Sequence, residues 1–478
     1  MLFNSFPFAV FAPTVFLLYW FVFQKSLKAQ NILLLAASYF FYSCWDWRFL
    51  FLLLFSTALD YFSGLQLQKS TIATTRKFWF YASILINLSF LGVFKYFDFF
   101  VLSFQNLLLK FGLSVDVFTL NIILPVGISF YTFHGLSYVI DVYKKRISAE
   151  ENFVEYAVFV SYFPLLVAGP IERATHLLPQ IKVKRNFNYD QAVSGLYQIL
   201  WGLFKKVVIA DNCAHFANEI FNNPDQSSGS TLVVGALFFA FQIYGDFSGY
   251  SDIALGTSRL FGIELFKNFA FPYFSRDIAE FWRRWHISLS SWFKDYVYIP
   301  LGGSKGGKWM QIRNTFIIFL VSGFWHGANW TFLIWGFLNA LYFLPLLLTK
   351  QNRTNIDIVA KNRWFPTIKE TFQIAITFGL TTFAWIFFRA DSVASAFDYI
   401  KGIFTKSLLS LPEVRPTFLI ILVLAFIIIE WMGREGNFAL DNFRNHGNRF
   451  LRWSFLLVIL MLLFIFGREE QQFIYFQF

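Results

Sequence analysis

Long apolar runs, with none of the strict apolar–polar alternation of a half-buried strand, constrain this chain more than any other feature. They cover 8–23, 30–45, 48–65, 78–97, 119–142, 152–169, 192–214, 231–247, 312–328, 329–348, 370–388, 417–432 and 452–467. A helix needs roughly 20 mostly apolar residues to cross a membrane. Of the 478 residues 56% are hydrophobic and 14% charged, and 68 are Phe, whereas a soluble domain carries about a quarter charged residues. One water-excluding core cannot hide that much apolar surface, but lipid can accept it. In lipid every backbone polar group must pair internally, which leaves helices or a closed barrel, and runs without alternation choose helices. Several runs are short and suit re-entrant or interfacial segments. The expectation is an all-α integral membrane protein with about ten to thirteen transmembrane and re-entrant helices. No repeat at a period of about 20–50 residues and no low-complexity linker divides the chain, so one domain over 1–478 is expected. The first run lacks a basic start and a small-residue cleavage site and reads as a retained span.

The net charge is +11 and the pI about 9.4. In a soluble protein that would suggest nucleic acid. Here Lys and Arg in the loops orient the helices and meet anionic lipid heads, so the membrane is the expected partner and nucleic acid is not. Lys25, Lys28, Lys69, Arg76, Lys77, Lys144, Lys145, Arg146, Lys182, Lys184 and Arg185 suit the cytoplasm, with the N-terminus outside. Arg444, Arg449 and Arg452 precede the last span, which places the C-terminal tail outside too. Cys44 and Cys213 are far apart and show no metal-ligand spacing, so neither a disulfide framework nor a metal site is expected.

Residues 242–330 depart from this apolar pattern. They carry Asp246, Ser248, Asp252, Arg259, Asp277, Glu280, Arg283, Arg284, His286, Asp295 and His326. Ionisable groups at membrane depth are costly and normally mark a functional path; a pair of interfacial helices with its charges in water is the plainer reading. His326 lies between two strongly apolar stretches. A lone buried His is often only a core residue, yet acyl transfer to a hydroxyl needs a base, and an imidazole takes and returns a proton near neutrality. Gly323 and Gly327 would let a substrate approach the backbone, and Asn329 would hold an acyl oxygen or orient a neighbour.

Gly-Phe-Trp-His-Gly-Ala-Asn-Trp-Thr at 323–331 and Phe-Trp-Arg-Arg-Trp-His-Ile-Ser-Leu-Ser-Ser-Trp-Phe at 281–293 resemble the signature of the membrane-bound O-acyltransferase superfamily. Phe-Ser-Gly-Tyr-Ser-Asp at 247–252, Tyr-Ile-Pro-Leu-Gly-Gly-Ser at 298–304, Pro-Val-Gly-Ile-Ser-Phe-Tyr-Thr-Phe at 125–133 and Ala-Gly-Pro-Ile-Glu-Arg at 168–173 are similar to its bacterial branch, which includes alginate and peptidoglycan O-acetyltransferase membrane subunits. The resemblance covers nearly the whole chain. It implies a ring of tilted helices with a funnel on each face, in the bacterial cytoplasmic (inner) membrane. It implies His326 as the central catalytic residue and His286 as the second family position. Trp325 and Asn329 beside His326, and Arg283 and Arg284 beside His286, are the candidate substrate-binding residues. The implied donor substrate is a cytoplasmic thioester, acetyl-CoA or an acylated carrier protein, with no bound cofactor and no metal. The implied partner is an extracytoplasmic glycan O-acetyltransferase protein. Alginate, peptidoglycan, cellulose and capsule all fit as the glycan.

Other signals are weaker. Gly302 to Lys308 reads Gly-x-x-x-x-Gly-Lys, but Trp309 stands where a phosphate-binding loop needs Ser or Thr, so a solvated turn is expected rather than a nucleotide site. A basic turn there would still suit the phosphates of coenzyme A. His134 reads as structural, and nothing singles out His176, His215 or His446. The tail 473–478 is aromatic, with one phenol, Tyr475. It suits an interfacial anchor or, folded back into the outer funnel, an acyl relay, the role that the resemblance suggests. Rival readings are an exporter of another acyl group, such as D-alanine for teichoic acid, and a secondary transporter. The latter favours an inverted repeat, which the sequence lacks.

Overall fold

The computed structural model describes residues 1–167, 169–441, 443, 448–467 and 473–474. Among them the regular structure is helical, with no strand. Seven helices are long and apolar enough to cross a membrane, and Phe6–Val22 and Thr417–Gly433 are shorter apolar helices. This is an integral membrane fold, as the apolar runs require.

The backbone forms two compact units. Unit 1 comprises Met1–Ala192 and Thr257–Phe266. Its helices α1 (Arg48–Lys69), α2 (Ala73–Leu91) and α3 (Ile128–Tyr143) bury Asp60, which has no ion-pair partner among the described residues. Ser83 Oγ and Asn87 Nδ2 donate to Asp60 Oδ1 at 2.6 and 2.8 Å, and Ser56 Oγ donates to Asn87 Oδ1 at 2.7 Å. Gly135 of α3 is glycine for room, because a Cβ there would run into the Asp60 carboxylate. Glu172 is fully buried as well. It accepts the Phe266 N–H at 2.5 Å and pairs with His176 Nδ1 at 2.8 Å, while its own N–H donates to His134 Nε2 at 3.0 Å. His134 thus serves the backbone.

The run at 119–142 is only partly helical. α3 starts at Ile128 behind Pro125 and Gly127, whose φ of +75° starts the helix abruptly against the Leu166 carbonyl. The run at 152–169 breaks at Tyr162, whose ψ of 116° is not helical, just ahead of Pro164.

Unit 2 comprises Val193–Gly256 and Lys267–Phe478. α4 (Tyr189–Leu203) passes into a π-helical turn, Phe204–Ala210, and then into α5 (Asp211–Asn222). α6 (Gly229–Leu260) is 32 residues long and continues well past the apolar run 231–247. It can do so because its polar residues have partners. Lys205 pairs with Asp252 at 2.6 Å, and Lys206 with Asp211 at 2.7 Å and Asp246 at 2.9 Å. α4 and α6 touch backbone to backbone at Gly202 and Gly249, where a Cβ on either would lie 2.6–2.7 Å from the other's carbonyl oxygen. The chain continues through α7 (Ile278–Arg284), α8 (Ile287–Phe293), α9 (Gly307–His326), α10 (Trp330–Leu348), α11 (Ile368–Arg389), α12 (Thr417–Gly433) and α13 (Arg449–Phe466). The turn at 302–307 has Gly302, Gly303 and Gly307 at positive φ, and Asn314 Nδ2 donates to the Gly303 carbonyl at 3.0 Å. It is a tight turn with no strand leading into it.

Candidate active site

His326 is the last residue of α9 and is 4% exposed. Three rings meet its imidazole edge-on: Trp325 at 4.9 Å, Trp335 at 5.2 Å and Phe388 at 5.3 Å between centroids. The next residue, Gly327, leaves the helix in extended conformation. A Cβ at Gly327 would overlap the Phe332 ring, and one at Gly323 the Phe332 carbonyl. Both positions are therefore filled by α10 packing on α9, and the expected substrate approach over these glycines is corrected: their lack of a side chain seats the helix pair.

His286 lies across from His326, with ring centroids 6.4 Å apart, and is 1% exposed. It starts α8 with φ of +44°, a left-handed conformation that L-residues avoid unless their surroundings enforce it. The enforcing contacts are visible. Ala270 N donates to Arg284 O and Ile287 N to Asn268 O, both at 2.9 Å, clamping the turn on either side. Asn268 also orients the ring. Its Oδ1 accepts from Ser288 Oγ at 2.9 Å, its Nδ2 donates to Ser251 Oγ at 3.1 Å, and Oδ1 lies 3.0 Å from His286 Nδ1. An oxygen at that place makes Nδ1 the protonated nitrogen and leaves Nε2 unprotonated. Burial pushes the His286 imidazole down to about 3, so it stays neutral.

Of the other predicted residues, Trp325 joins the pair, 6.0 Å from the His286 ring. Asn329 caps α10: its Oδ1 accepts the Thr331 N–H at 3.1 Å, and its Nδ2 donates to the Asp391 carbonyl at 2.8 Å. Arg283 donates to the carbonyls of Asn352 and Asn355, each at 2.8 Å. Arg284 pairs with Glu280 at 2.8 Å and donates to the Ala270 and Asp357 carbonyls, both at 3.2 Å. These two arginines hold the loop after α10 onto α7. Tyr475 lies outside the described residues, as does His446. Just before it, Phe473 and Ile474 are buried, with Phe473 4.3 Å from the Tyr250 ring.

A cavity of about 240 Å³ is lined by Trp282, Lys294, Tyr298, Ser322 and Arg353 among others. Ser322 precedes His326 by one helical turn and so shares its face. Trp282 packs 5.6 Å from Trp335, which itself touches His326. The lining thus carries two cations, Lys294 and Arg353, and Trp282, which is one ring contact removed from the imidazole through Trp335.

Sequence reasoning passed over Lys205, Lys206, Asn268, Lys294 and Arg353. The two adjacent lysines did leave a signal, since they interrupt the apolar run 192–214. Asn268 left none, because its role depends on a fold that returns 268–270 beside 284–287.

Residues 132–384 match the model of the MBOAT, membrane-bound O-acyltransferase family. The chain is 38% identical over 432 residues to the peptidoglycan O-acetyltransferase of Helicobacter pylori, covering 84% of this chain and 79% of that protein. It is 37% identical over 412 residues to the "probable alginate O-acetylase AlgI" of Pseudomonas aeruginosa, covering 85% and 76%. It is 27% identical over 281 residues to the teichoic acid D-alanyltransferase of Bacillus subtilis, covering 56% and 69%.

Proposed function

This chain belongs to the membrane-bound O-acyltransferase family, and we propose that within it the protein moves acetyl groups from a cytoplasmic thioester across the inner membrane for O-acetylation of an extracytoplasmic polysaccharide. The enzyme is an acyltransferase; the acetyl cargo, the donor and the sidedness are the proposal. The observation that carries it is the facing of His326 and His286 at 6.4 Å inside an aromatic wall. Relatives named for acetyl transfer match more of the chain, at higher identity, than the D-alanyltransferase does, which favours acetyl over D-alanine.

In this reading the donor's phosphates, in acetyl-CoA or on the arm of a carrier protein, rest near Lys294 and Arg353, and the thioester reaches toward His326. His326 accepts the proton of the attacking hydroxyl as its oxygen bonds to the acyl carbon. The carbon–sulfur bond breaks, and the thiolate takes the proton back from the imidazolium. His286, neutral and oriented by Asn268, faces the His326 ring and, with an acceptor at Nε2, favours the positive charge that His326 gains as it takes the proton. The first acceptor is the phenol of Tyr475, a poor nucleophile alone but competent beside a base. The aryl ester it forms is reactive enough to pass its acetyl to an outside O-acetyltransferase partner and on to the glycan.

Radiolabelled acetyl-CoA supplied to inverted membrane vesicles that contain the protein tests this. Label should reach the protein in the parent and not in Tyr475→Phe, with both at equal level. Equal labelling of the two removes the relay, and no thioester consumption by the parent removes the donor.

A further inference from the structure

Asp246 is buried to 2% and Lys206 to 1% exposure inside unit 2. Lys206 is shared: it lies 2.9 Å from Asp246 Oδ1 and 2.7 Å from Asp211 Oδ1. One ammonium therefore serves two buried carboxylates. A buried carboxylate needs donors on both oxygens, and the cost of leaving one bare is high. The second donor to Asp246 comes from the far end of the chain: the Ile474 N–H lies 2.7 Å from Oδ2. Tyr250, one turn along the same face of α6, takes the Phe473 ring at 4.3 Å, and Phe473 is 0% exposed. Phe247 bridges onward, 6.4 Å from Phe473 and 4.6 Å, edge-on, from His286.

We propose that the Asp246–Lys206–Asp211 cluster, with Tyr250, is a seat for the C-terminal segment, holding the Ile474 backbone and the Phe473 ring and so fixing the register of the tail one residue before Tyr475. Asp246 and Lys206 are positioning residues; they touch the tail and act through it. The grip on Ile474 is through the main chain, so it survives replacement of that buried side chain by a smaller one, while the aromatic at 473 supplies the selectivity. The ion cluster also gives a reason for the charges within α6 and the π-helical turn: the seat uses a carboxylate as acceptor, and here an ammonium from the turn holds it. The seat's role in acetyl transfer rests on the relay reading of Tyr475; the seat itself does not.

The test uses the full-length protein in native membranes, with the exposed Cys44 replaced (Cys44→Ser), the buried Cys213 kept, and Ile474→Cys as the probe, which retains the backbone N–H. A water-soluble maleimide should label the probe slowly. Asp246→Ala should speed labelling about tenfold or more, the scale of one lost charge-assisted hydrogen bond to a locally opening segment. Asp246→Asn, whose amide oxygen still accepts the N–H, should stay near the parent, and Phe473→Ala should open the tail with the ion cluster intact. Glycan acetylation should fall in Asp246→Ala and recover in Asp246→Asn. Fast labelling in the parent, or equal rates in the parent and Asp246→Ala, overturns the seat. Normal acetylation in Tyr475→Phe with slow labelling of Ile474→Cys overturns the relay alone and leaves the seat standing.

Discussion

Two buried aspartates, one in each unit, are handled in opposite ways. Asp60 in unit 1 is satisfied by Ser83 and Asn87, neutral side chains from the neighbouring helix α2, one turn apart. Asp246 in unit 2 is satisfied by Lys206 and by the backbone of Ile474, 228 residues away. The first arrangement is local and closed. The second is ionic and depends on distant segments meeting, and it lies beside the turn where His286 is forced into a left-handed conformation. Burial of an ionisable group in a membrane helix therefore does not by itself mark chemistry. Convergence from far along the chain, together with the backbone strain at His286, is what sets the candidate site apart from the local arrangement at Asp60.

The largest effect should separate His326 from Asp60. His326→Ala should lower glycan acetylation about 100- to 10,000-fold, the range for loss of a general base. Asp60→Asn should leave the turnover within about threefold, because an amide oxygen still accepts from both Ser83 and Asn87. Equal losses of turnover would erase the distinction between frame and site. Next, His286→Ala should cost about 10- to 100-fold, less than the general base. Asn268→Leu should follow it in the same direction, since removing the amide frees the ring to turn; full activity in Asn268→Leu would leave His286 without its orienting group.

A smaller effect is expected at the cavity. Lys294→Glu combined with Arg353→Glu should raise the donor's apparent binding constant about tenfold at low salt, and the difference from the parent should shrink as salt screens the charges. No change would assign these cations to lipid heads. The smallest effect concerns pH. The folded-state pKa of His286 is about 3 against an ordinary 6.5, so the unfolded chain takes up a proton that the folded chain refuses. Stability should therefore fall as pH drops from about 7 to about 5, and His286→Asn should flatten that slope. Identical slopes in melting temperature would mean that the ring is protonated in place.

The membrane class, most helix positions and the His326 motif were legible because each is written in consecutive residues. Run boundaries were less so. α6 outlasts its apolar run by thirteen residues, from 247 to Leu260, since hydropathy stops at Asp246 whereas a helix stops only where hydrogen bonding fails. The glycines near His326 were misjudged for a related reason: a residue without a side chain marks close approach, but sequence does not say whether a helix or a substrate approaches. The clamp on His286 and the anchoring of Ile474 were not legible, because each joins residues that only the finished fold makes neighbours.

The π-helical turn Phe204–Ala210 carries one consequence for how this chain tolerates changes of length. A wide turn holds one residue more than the regular helix on either side, and the surplus lets Lys205 and Lys206, adjacent in sequence, each reach a carboxylate of α6. Each residue of a regular helix advances the phase by about 100°. Deleting one residue within the turn removes the surplus and leaves the helices on either side in phase, whereas a deletion in the regular helix on either side rotates everything beyond it by that angle. Single-residue deletions scanned along 189–222 should therefore keep the fold best inside 204–210, at the cost of the pairing of Lys205 or Lys206 with α6.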